Sequence, residues 1–176
     1  MARPTPILNS SLTASDLMCP QPVTITPGET LRDAIASMSF NRVSGLVVVD
    51  GKGHCVGVLA ATDIINFEEG FTQGQQGRNR IVSSFFDHDT LEWDTVRMTD
   101  DVEAYAGVTV REEMTHEVIS VVPDASLATV ANTMIAADVH RVLVIDTDNR
   151  LHGVISASDF VRAFAAAAHL TPAAGV

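Results

Sequence analysis

Two short runs hold residue types able to grip a polar ligand. Gly153-Val154-Ile155-Ser156-Ala157-Ser158-Asp159 is one, and Gly57-Val58-Leu59-Ala60-Ala61-Thr62-Asp63 repeats it 96 positions earlier. Each reads as the end of a buried strand, a tight turn and the first residues of a helix. In the later run, Ser158 or Asp159 serves as N-cap for the apolar positions Phe160, Val161, Phe164, Ala165 and Ala168. A helix N-terminus presents unpaired N–H groups, and small hydroxyls beside it suit a phosphate or a ribose. A carboxylate there can accept from both ribose hydroxyls, each charge-assisted bond being worth about 1.5–3 kcal/mol. The plainer alternative is that Asp159 is only a cap, worth ~1 kcal/mol without any ligand.

Other chemistry-bearing residues are weaker candidates. Asp87-His88-Asp89, with Glu92 nearby, has metal-ligand types, but no second His-containing cluster lies beside it in sequence, and a solvated loop is the expected reading. Cys19 and Cys55 form no CxxC pair and read as small packed residues. Trp93 reads as a packing anchor, and Met38 and Met134 as core. No stretch combines a nucleophile, a base and an orienting residue, so the chain is expected not to be an enzyme. The net charge of −11 argues against nucleic acid. The absence of an apolar run of about 18 residues argues against a membrane span, and a cytoplasmic location is the expectation.

The elements that position the two turns follow from the apolar pattern. Ala14 to Cys19 makes a short helical turn ending at Pro20, and Val23-Thr24-Ile25 a short strand. Thr30 caps a helix with Leu31, Ala34, Ile35 and Met38 on one face. Leu46 to Val49 reads as a buried strand, Asp50-Gly51-Lys52-Gly53 as a hairpin turn, Cys55 to Leu59 as the return strand, and Ile64 onward as a helix. The order then recurs without a gap. Met18, Pro27, Leu31, Met38, Val43 and Asp50 each have the same residue 96 positions later, which marks a duplication. Val118 to Val121, the Leu127–Met134 face and Val142 to Ile145 are the second copies. The expected layout is an arm at 1–13, repeat one at 14–69, a linker at 70–109, repeat two at 110–169 and a tail at 170–176. The linker, with Ile81-Val82, Phe85-Phe86 and Trp93, supports no firm assignment of structure.

The two copies resemble CBS motifs, the β-α-β-β-α units named from cystathionine β-synthase, and together they look like a tandem pair, or Bateman module. The resemblance rests on Met18 and Met114, on Val43 to Asp50 and Val139 to Asp146, and on the paired turns. It implies an α+β fold in which two repeats pack as a pseudo-twofold pair with two related clefts. It implies binding of an adenosine-containing ligand (AMP, ADP, ATP or S-adenosylmethionine) as a regulatory signal, with no required cofactor. Asp159 would hold the ribose and Ser156 would help hold phosphate, while Asp63 matches but Ala60 lacks the hydroxyl. Thr62 or Ser158 would supply another. His140-Arg141 looks like the His-Arg that meets phosphates in the γ subunit of the AMP-activated kinase, and its first-copy counterpart is Ser44-Gly45. By the family's arrangement Val43, Ser44 and Gly45 would face the Asp159 turn, and Val139, His140 and Arg141 the Asp63 turn. A homodimer and an effector protein are the implied partners. A ligand-free dimerisation scaffold is the alternative, and a metal-dependent enzyme using the linker acids a third reading.

Overall fold

The computed structural model describes residues 12–72, 79–87, 92–99 and 105–169. The chain divides into two compact units. One gathers the chain up to Gln21, Ile119–Asp148 and the chain from His152; the other holds Pro22–Val118 with Asn149–Leu151. We call them the second-repeat and first-repeat units.

The first-repeat unit is built on a three-stranded sheet of order β1-β2-β3. Strand β1 (Thr24–Ile25) runs parallel to β2 (Gly45–Val49), and β3 (Cys55–Ala60) returns antiparallel, with Leu46 opposite Leu59 and Val48 opposite Gly57. Helix α2 (Leu31–Asn41) buries Leu31, Ala34, Ile35 and Met38, the four positions its period selects. Thr30 and Asp33 cap it reciprocally: Thr30 Oγ1 accepts from the Asp33 N–H, and Asp33 Oδ2 accepts from the Thr30 N–H. Helix α3 (Ala61–Thr72) follows β3 directly.

The second-repeat unit repeats this plan with β6 (Ser120–Val121), α5 (Leu127–Ala137), β7 (Arg141–Ile145), β8 (Leu151–Ser156) and α6 (Ala157–His169). The copied register is explicit: Thr24 pairs with Val47, and Ser120, 96 positions later, pairs with Leu143. Backbone irregularities are copied too. Arg42 (φ 56°) and Asp138 (φ 52°) end α2 and α5 in the left-handed region, and Gly53 (φ 82°) and Asn149 (φ 63°) occupy it in the two hairpin turns. In each unit the next N–H, of Val43 or Val139, donates back to Met38 or Met134, which closes the helix end.

The leading segments are exchanged between the repeats. Helix α1 (Ala14–Leu17), from the start of repeat one, belongs to the second-repeat unit, where the Ala14 N–H donates to Ala125 O and Cys19 pairs with Val154. Helix α4 (Val110–Glu113), from the start of repeat two, belongs to the first-repeat unit, where the Val110 N–H donates to Glu29 O and Thr115 pairs with Val58. Ala14 and Val110 are both fully buried. No helix among the described residues is long and apolar enough to cross a membrane.

Several expectations need correction. Helices α3 and α6 begin at Ala61 and Ala157, so neither Ser158 nor Asp159 is an N-cap; Ser156 holds that position and Asp159 is the third helical residue. Asp favours both the cap and the first turn, and it is the Ser-x-x-Asp spacing that distinguishes them. Cys19 is exposed rather than packed, because its backbone, not its side chain, meets Val154. Val161 and Phe164, expected on the apolar face of α6, are 68% and 53% exposed. The linker forms an antiparallel hairpin of β4 (Asn79–Asp87) and β5 (Glu92–Thr99), with Phe86 opposite Trp93 and Asp87 opposite Glu92. The arm before Leu12, the tail after His169, and His88 with Asp89 of the suggested metal cluster lie outside the described residues.

Candidate functional site

In the second-repeat unit, strand β8 delivers Ser156 to the start of α6, and the helix's first turn brings Asp159 back over it. The Ser156 N–H donates to Asp159 Oδ2 at 2.8 Å and the Ser156 hydroxyl donates to the same oxygen at 2.7 Å. The Ser158 hydroxyl lies 2.9 Å from that of Ser156. The other carboxylate oxygen, Oδ1, accepts from Arg162 Nη1 at 2.9 Å. Asp159 is mostly buried at 19% side-chain exposure, whereas Arg162 is 67% exposed. The site is thus a fixed carboxylate with two hydroxyls on one side and a solvated cation on the other.

The turn is tied to the start of β7, since the Ala157 N–H donates to His140 O at 2.9 Å. His140 is exposed and Arg141 half-buried. Beside them lies a mainly apolar groove of about 380 Å³ lined by Ala131, Met134, Ile135, Val139, Ala157 and Phe160, with His140 and Asp138 as its polar members. The resemblance places Val139, His140 and Arg141 at the Asp63 turn; here Val139 and His140 line the groove of their own unit, where His140 O holds the Ala157 N–H. Ser156, Ser158 and Asp159 adjoin the lining residues Ala157 and Phe160 in sequence and are not themselves part of the lining.

The first-repeat unit carries a depleted version. The Ala60 N–H donates to Asp63 Oδ2 at 2.7 Å, but Ala60 has no hydroxyl to add the second bond. The Ala61 N–H donates to Ser44 O at 2.8 Å, so Ser44 at the start of β2 is tied to the Asp63 turn of its own unit, whereas the resemblance has Val43, Ser44 and Gly45 face the Asp159 turn. Thr62 is exposed and Asp63 half-buried. Burial, and then the charges of Glu112 and Asp63, hold the Glu113 carboxyl above its usual range. This turn therefore sits in an acidic setting, and Asn66 stands where its copy has Arg162.

Two contributors were missed from sequence. Arg162 was detectable, because a position three residues along a helix faces Asp159. Glu113 was not, because only the exchange of α4 brings it to Asp63. Tyr105, expected in the linker, is fully buried and tilts against Phe67 with ring centroids 6.0 Å apart.

The CBS domain profile matches residues 14–70 and 110–166. The chain belongs to the CBS-domain family. This CBS pair is 25% identical over 147 residues to the uncharacterized protein MJ1426 of Methanocaldococcus jannaschii, covering 81% of this chain and 86% of that one. It is 24% identical over 161 residues to the chloroplastic CBS domain-containing protein CBSX2 of Arabidopsis thaliana, covering 90% of this chain and 66% of that protein. Among solved structures it shares its fold with CBSX2 in complex with AMP (TM-score 0.62, 22% identity, 86% and 94% of the two chains). It also shares it with the CBS pair of protein MJ0100 in complex with 5′-methylthioadenosine and S-adenosyl-L-methionine (TM-score 0.59, 20% identity, 88% and 97%).

Proposed function

We propose that this protein is a non-catalytic regulatory module that binds an adenosine-containing ligand at the Asp159 turn and passes its occupancy to a partner protein. The observation that carries this reading is the fixed Ser156–Asp159 cluster. Two bonds from Ser156 lock Oδ2, so the carboxylate's orientation is set before any ligand arrives, and such preorganisation lowers the cost of binding. Ribose hydroxyls are donors that suit Asp159, and the same helix start contributes Ala157 and Phe160 to a mainly apolar groove of about 380 Å³, within the size range of small-ligand sites, that suits a base. The adenosyl ligands of CBSX2 and MJ0100 support the same class of ligand. The Asp63 turn, lacking the hydroxyl and facing Glu113, is the poorer place for a phosphate.

The test is thermal unfolding against AMP, ADP, ATP, 5′-methylthioadenosine and S-adenosylmethionine. A ligand at 100 times its Kd stabilises by about 2.7 kcal/mol. Asp159→Ala should then weaken calorimetric affinity at least tenfold, roughly 1.4 kcal/mol, in a variant whose circular dichroism shows it folded. Asp63→Ala should change affinity at this turn little. If no adenosyl compound stabilises the protein at millimolar concentration, the reading fails. A ligand-free dimerisation scaffold then takes its place, a role favoured by the exposure of Ile135, Val161 and Phe164 within one unit.

A further inference from the structure

Arg162 stands on the oxygen that a ribose would need. Asp159 Oδ2 already accepts two bonds from Ser156, and Oδ1 accepts from Arg162 Nη1 at 2.9 Å. A carboxylate offers about four acceptor positions in all. Two ribose hydroxyls can both reach it only if the guanidinium moves off Oδ1. The move is cheap, because Arg162 is 67% exposed and an exposed pair of this kind contributes little to stability. The freed cation stays tethered to the first turns of α6, on the element whose start carries the Ser156 and Ser158 hydroxyls.

Resting on the function proposed above, we propose that Arg162 is a latch that makes this site select phosphorylated adenosine over adenosine itself. Adenosine must break the weak Asp159–Arg162 pair and return the guanidinium to water, a small loss with no new contact to offset it. A 5′-phosphate gives the displaced guanidinium a new anion, for which its planar fork is well shaped. The first copy has no such device, since Asn66 occupies the equivalent position beside Asp63.

The experiment is calorimetry with AMP and adenosine on the wild type, Arg162→Ala and Arg141→Ala. The wild type should bind AMP at least tenfold more tightly than adenosine. In Arg162→Ala adenosine should bind severalfold more tightly than to the wild type, AMP more weakly, and the preference should fall towards one. The salt dependence of AMP binding should weaken in the same variant, as expected when an ionic contact is removed. If the wild type binds AMP and Arg162→Ala leaves both affinities unchanged, the latch is wrong and the function stands. The latch is equally wrong if Arg141→Ala alone abolishes the preference. If the wild type binds neither ligand, the underlying function is wrong and the latch falls with it.

Discussion

Gly57 and Gly153 show how a single missing carbon carries the duplicated plan. A Cβ on Gly153 would sit 2.6 Å from Cys19 O and 2.8 Å from Met18 Sδ, and one on Gly57 would sit 2.7 Å from Thr115 O. The exchanged leading segment lies directly over each glycine, so the backbone contact Cys19–Val154 or Thr115–Val58 needs the space. We expect Gly153→Ala to destabilise by about 1–3 kcal/mol, the usual range for overpacking. Gly51→Ala, with open space around its Cβ, should be close to neutral in the same chemical denaturation series. Asp50 offers a second residue-scale prediction. The backbone N–H of His54, above all, holds its carboxyl down to about 2, with the Lys52 N–H and the His54 ring 3.0 Å away adding to the effect. A depressed carboxyl contributes stability above its unfolded value, near 3.9, and loses it as pH falls through the folded value. Asp50→Asn should therefore be less stable than the parent at neutral pH. The gap should close as pH drops from about 4 towards about 2, read by urea unfolding at each pH. The site residues Ser156 and Asp159 were legible because their spacing is local. Glu113 was not, because 50 positions separate it from Asp63.

At the scale of elements, one device recurs. A Thr or Ser and an acid three residues later bond each other at Thr13–Asp16, Thr26–Glu29, Thr30–Asp33, Thr109–Glu112 and Ser156–Asp159. Each fixes the entry to a turn or helix by satisfying a backbone donor that would otherwise be open. Strands β2 and β7 and helices α2 and α5 were legible because their apolar periods are clean. The β4–β5 hairpin was not, since its apolar pairs break the alternation that marks a half-buried strand. The exchange of α1 and α4 left no local sign, because Cys19 and Val154 are 135 positions apart. Ala60 is where the recurring device is incomplete. Ala60→Ser should restore the second bond to Asp63 and raise stability by roughly 0.5–1 kcal/mol, measured as a shift in the thermal midpoint. If Ala60→Ser left the midpoint unmoved, the depleted turn would owe its form to something other than the missing hydroxyl.

At the scale of the molecule, exposed apolar residues argue for association. Ile135 is 76% and Val161 68% exposed in the second-repeat unit, and Phe40 88% in the first-repeat unit. Side chains of this size left in water favour burial against another surface. We expect a homodimer by light scattering at tens of micromolar, and expect Val161→Asp with Phe164→Asp, both outside the groove lining, to shift it to monomer. A monomeric wild type would count against this. The exchanged segments also set a timetable. Cys19 leaves the ribosome early, yet its partner Val154 is made 135 residues later, which at about 5–20 residues per second is roughly 7–27 s. The cluster of the first-repeat unit is complete in sequence by Met114, so it can close while α1 still waits. Helix α1 is thus made long before the strand it joins, and nascent chains arrested before Val154 should remain open to protease at Ala14–Cys19 long after Leu31–Leu59 has become resistant.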